Sequence, residues 1–76
     1  MTVKKNRIYQ VNYTDKDNNN FKGAVLVDGF DPMDYSIKCT VVETNNERIF
    51  LNRKIYFKNT EAFGKDVTED FPEYFI

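Results

Sequence analysis

"YSIKCTVVE", residues 35–43, decides the fold class. Tyr35, Ile37, Cys39 and Val41 recur at every second position, with Ser36, Lys38 and Thr40 between them. Successive side chains of a strand point to opposite faces, so this spacing predicts a strand buried on one side. It is the cleanest alternation in the chain.

Upstream, "IYQVNY" (residues 8–13) repeats the pattern, with Tyr9, Val11 and Tyr13 alternating with Gln10 and Asn12. In "FKGAVLV" (21–27), Phe21, Gly23, Val25 and Val27 share a face. Its continuous apolar end predicts burial on both sides there. Downstream, "RIFLNRKIYF" (48–57) places Ile49, Leu51, Ile55 and Phe57 on one parity and Phe50 and Tyr56 on the other. Ten residues is long for a small sheet, and Arg53 breaks the apolar face. A bend near Asn52 and Arg53 would let the strand serve two parts of a curled sheet.

The connections are polar. "DKDNNN" (15–20) has the start of a calcium loop, with Asp15, Asp17 and Asn19 at ligand spacing. Its sixth position is Asn20 where such loops need Gly, and its twelfth is Leu26 where they need a bidentate Glu. Its flanks alternate like strands. The stretch therefore reads as a hairpin loop of four to six residues, built from side chains that tolerate left-handed backbone. Asn45-Asn46 reads as a second hairpin turn. "DGFDPMD" (28–34) reads as a solvated loop; its three acids, with no histidine, make a poor metal site. Phe30 and Met33 in that loop either fold back or form a contact patch.

The last segment differs. From residue 61 the chain holds five acids against one base, whereas residues 1–60 hold ten bases and seven acids. "TEAFG" reads as a helical turn ended by Gly64, and "DVTEDF" as another stopped by Pro72. Phe71, Tyr74, Phe75 and Ile76 are too apolar a set for a disordered tail.

Together these elements predict a mainly β domain. We expect an antiparallel sheet of four to five strands, curled into an SH3-like or OB-like barrel, over residues 1–60. Residues 61–76 then form an acidic, aromatic segment with a short helical turn, packed on the sheet or contacting a partner. At 76 residues there is one domain with a small core, and seven Phe and five Tyr can supply much of it.

Composition bounds function. No histidine is present, so the commonest general base and metal ligand is missing. The one cysteine, Cys39, has no imidazole partner and sits among apolar residues, as an inert buried thiol would. The three glycines are far apart, so no phosphate-binding loop is formed. We expect no enzyme activity, no cofactor and no metal. A single cysteine points to a reducing compartment, and no apolar run approaches a membrane span, so a cytoplasmic location is expected.

Binding remains, in two classes. Protein contact would use Phe30, Met33 and Tyr35, with Glu69, Asp70, Phe71, Tyr74 and Phe75 from the tail. An acidic, aromatic-tipped tail would mimic the charge of nucleic acid, and the chain resembles small phage-encoded inhibitors of host enzymes in size and charge only. The alternative is single-stranded nucleic acid on Lys5, Arg7, Arg48, Phe50, Arg53, Lys54, Tyr56 and Lys58, where cations interleave with rings. The net charge of −1 disfavours it. An exposed edge strand would allow a homodimer.

Overall fold

The computed structural model describes residues 2–14, 16–18, 20–45 and 50–75. Five strands form one antiparallel sheet: β1 (Ile8–Thr14), β2 (Asn20–Phe30), β3 (Ile37–Thr44), β4 (Lys54–Phe57) and β5 (Phe63–Asp66). Two 3-10 turns follow, Thr68–Asp70 and Pro72–Phe75. The strand order is β4-β3-β2-β1-β5. The first four strands form a meander, and the fifth returns to pair with the first.

The expected alternation sets the principal core. Tyr9 and Val11 of β1, Phe21, Val25 and Val27 of β2, and Ile37, Cys39 and Val41 of β3 are buried together with Phe57 and Phe63. The Cys39 thiol is pushed up to about 12 by burial, with the nearby Asp28 charge adding to it, so it is inert at neutral pH. The opposite face has a smaller core of its own. Ile8, Ala24 and Val42 are buried there with Val67, and Leu26 and Phe71 pack against them. This is the two-sided burial that the apolar end of "FKGAVLV" implies.

Gly23 is required by the close approach of β3 to β2 at this position. A Cβ built on it lies 2.0 Å from the Glu43 carbonyl oxygen, closer than any side chain permits. The register between β2 and β3 shifts just beyond it, between Ala24 and Val25.

The sheet is curled. Four strand spacings would hold β4 and β5 about 19 Å apart if it were flat. Instead the Phe57 and Phe63 rings meet edge to face, with centroids 5.0 Å apart. Among the described residues no strand pairing joins β4 to β5, so the sheet is open along that seam. The barrel expectation holds as far as a curled, open five-stranded sheet.

Four readings are corrected. Tyr35 does not begin β3; it has φ 63° and β3 starts at Ile37. Asp28, Gly29 and Phe30 are not loop but belong to β2, with a register shift between Val27 and Gly29. Residues 50–53 are not strand: the Arg53 amide donates to the Phe50 carbonyl in a turn with Asn52 at φ 65°. That turn reverses the parity, so Phe50 joins the principal core, edge-on to Phe21 at 5.3 Å. Gly64 does not end a helical turn but lies within β5. The expected turn before Pro72 is present as the 3-10 turn Thr68–Asp70.

Candidate interaction surface

The β2–β3 loop, residues 31–36, is cross-braced. The Asp31 amide donates to the Ser36 carbonyl and the Tyr35 amide to the Asp31 carbonyl, both at 2.9 Å. The Asp31 carboxylate accepts from the Met33 amide at 2.8 Å, and Asp34 accepts from the Ser36 amide at 2.9 Å. Lys58, just past β4, reaches Asp34 at 3.5 Å. The Asp34 carboxyl is lowered from its ordinary range, chiefly by the Ser36 amide and also by Lys58. Two of the three acids read as a solvated loop, Asp31 and Asp34, are its frame.

Two large apolar side chains, Met33 and Tyr35, stand on the frame, and a third, Phe30, ends β2 beside it. Phe30 is 48% exposed, Met33 88% and Tyr35 81%. A strand-like φ would put Tyr35 on the same face as Ile37, toward the core. The left-handed backbone places it outside, at a strain that the surrounding hydrogen bonds must hold.

The tail candidates divide. Phe71 is half-buried against the outer apolar face. Tyr74 and Phe75 are 42% and 46% exposed, and Glu69 and Asp70 are exposed. No hydrogen bond, ion pair or ring contact joins this group to the loop among the described residues. Ile76 lies outside them.

Three of the basic candidates face a carboxylate. Arg7 donates to Asp66 at 2.9 Å, and Lys54 contacts Asp28 at 3.3 Å and Thr40 at 2.7 Å. Lys58 faces Asp34, as above. Phe50 packs on the core rather than standing free, and Arg53 lies 5.9 Å from its ring. Lys5 is exposed, and Tyr56 is 60% exposed. Arg48 lies outside the described residues, as do Asp15 and Asn19 of the hairpin loop and Asn46 of the second turn.

An open depression of about 860 Å³ lies at the far end of the sheet, walled in part by Gln10, Asn12, Lys22, Glu43 and Glu61. Among the described residues no three His, Cys, Asp or Glu side chains converge as metal ligands would. No described helix is long and apolar enough to cross a membrane.

No family model, curated protein or solved structure matches this chain.

Proposed function

We propose that this protein acts without catalysis, by binding another protein through the tip formed by Phe30, Met33 and Tyr35. The observation that carries the reading is Tyr35: an aromatic residue at φ 63°, 81% exposed, on a loop held by its own hydrogen bonds. A folding role alone gives no reason for a strained, solvent-facing tyrosine beside a methionine that is 88% exposed. A rigid tip also loses little freedom on docking, which is how preorganised loops gain affinity.

The exposed acids and rings of the tail, Glu69, Asp70, Tyr74 and Phe75, supply a second contact in this reading. Its natural setting is a small cytoplasmic modulator or inhibitor, of the kind mobile elements encode. An SH3-like closure belongs to the same proposal, because β5 returns to β1 and the seam falls where Phe57 meets Phe63. Single-stranded nucleic acid is the weaker reading, since Arg7, Lys54 and Lys58 each already face a carboxylate.

Side-by-side affinity capture separates the two. Immobilised wild type should retain a protein from lysate that the double variant Met33→Ala, Tyr35→Ala does not retain. Equal retention by wild type and the double variant, or micromolar oligonucleotide binding that falls steeply with salt, would overturn the proposal.

A further inference from the structure

We propose that residues 67–75 form a strap that opens as a unit while the sheet stays folded, uncovering the outer apolar face. The strap is tied to the sheet at one end. The Val67 amide donates to the Ile8 carbonyl at 2.8 Å, and the Thr68 hydroxyl accepts from the Ile8 amide at 2.9 Å. Beyond Thr68 its main-chain hydrogen bonds are internal: Asp70 to Val67, Phe71 to Thr68, and Tyr74 to Phe71. Past that point its packing on the sheet is one half-buried ring, Phe71, and its other attraction is the exposed Glu69 carboxylate toward Arg7.

What lies beneath is apolar. Ile8 and Ala24 are fully buried and Val42 nearly so, with Leu26 beside them. Among the described residues, none of the strap's side chains belongs to the principal core, whose only contributor after β4 is Phe63 of β5, apart from Ala62 packed at its edge. The sheet therefore keeps its main packing when the strap lifts. Asp70 and Glu73 form no ion pair among the described residues, so no charge contact holds the far end down. Segments with few buried contacts open well below the free energy of global unfolding.

Amide hydrogen exchange on the intact chain tests this. The Ile8 amide is the reporter, because it belongs to β1 yet is covered by Thr68 of the strap. Val27 and Val41, whose amides donate to Arg7 and Arg53, report the sheet. Ile8, Val67 and Phe71 should share one opening, at least about tenfold more frequent than that of Val27 and Val41. Phe71→Ala should raise exchange at Ile8 and Val67 about tenfold further and leave Val27 and Val41 unchanged. Equal protection at all five amides overturns the strap. So does a Phe71→Ala effect that is shared by the sheet or absent at Ile8.

Discussion

The rings of Phe57 and Phe63 lie 5.0 Å apart, although β4 and β5 are the two ends of the strand order. Five residues, 58–62, join them, and Tyr13 and Tyr9 pack on the same pair at 5.5 and 5.8 Å. This aromatic contact closes by side chains the seam that the backbone leaves open. Phe57→Ala and Phe63→Ala should each destabilise the fold by about 3–5 kcal/mol. The double variant should fall short of the sum by about 0.5–1.5 kcal/mol. Urea unfolding of the four proteins measures it. Strict additivity would mean that the rings do not hold the seam.

Gly23→Ala should be among the most destabilising small substitutions in the chain. The added carbon meets the backbone of Glu43, which cannot swing aside as a side chain can. We expect a loss of about 2 kcal/mol or more, read as a lower urea midpoint. Gly64→Ala is the control, because the nearest atom to a Cβ there is 3.6 Å away.

Acid should weaken the fold through Asp66. Burial works against its charge, but hydrogen bonds from Arg7 and Thr68 prevail and hold the carboxyl down to about 2, from an ordinary 3.8. A carboxyl depressed in the folded state contributes its stability in full above the unfolded value and loses it as pH falls through the folded one. The Asp66 contribution is thus intact above about pH 4 and lost between about pH 4 and 2. Asp66→Asn should lower stability at pH 7 and flatten the profile over that window. A parallel profile for the variant would remove Asp66 as the cause.

Much of the sheet was legible in the sequence because period-two burial is local. Tyr9 and Val11, Phe21 through Val27, and Ile37 through Val41 announce their faces without reference to the rest of the chain. The strand β5 was not legible: Phe63 is its only buried residue, Gly64 follows it, and its conformation comes from pairing with β1 over fifty residues away. Tyr35 misled for the opposite reason. It continues the apolar parity of β3, and the hydrogen bonds that brace the loop, with Asp31, Asp34 and Ser36, hold it out of the strand. For the candidate site, Met33 was readable as a loop residue, whereas Phe30, read as its loop partner, is the last residue of β2. The pairing of Arg7, Lys54 and Lys58 with Asp66, Asp28 and Asp34 was not, because each pair is non-local.

Tyr35→Gly separates folding from binding. Glycine adopts φ 63° without steric cost, which relieves about 1 kcal/mol of strain, while its freedom in the unfolded chain offsets part of that gain. Urea unfolding should show stability unchanged or slightly raised, by at most about 1 kcal/mol. A clear loss would mean that the ring supports the fold.

The most direct measurement is the affinity of the captured protein, once purified, for wild type and for Met33→Ala, Tyr35→Ala. Isothermal titration should show at least about a hundredfold weaker binding for the variant, as two central hot-spot residues imply. The urea midpoint should stay where it is. Equal affinity with an equal midpoint would contradict the account and leave the tip without a role.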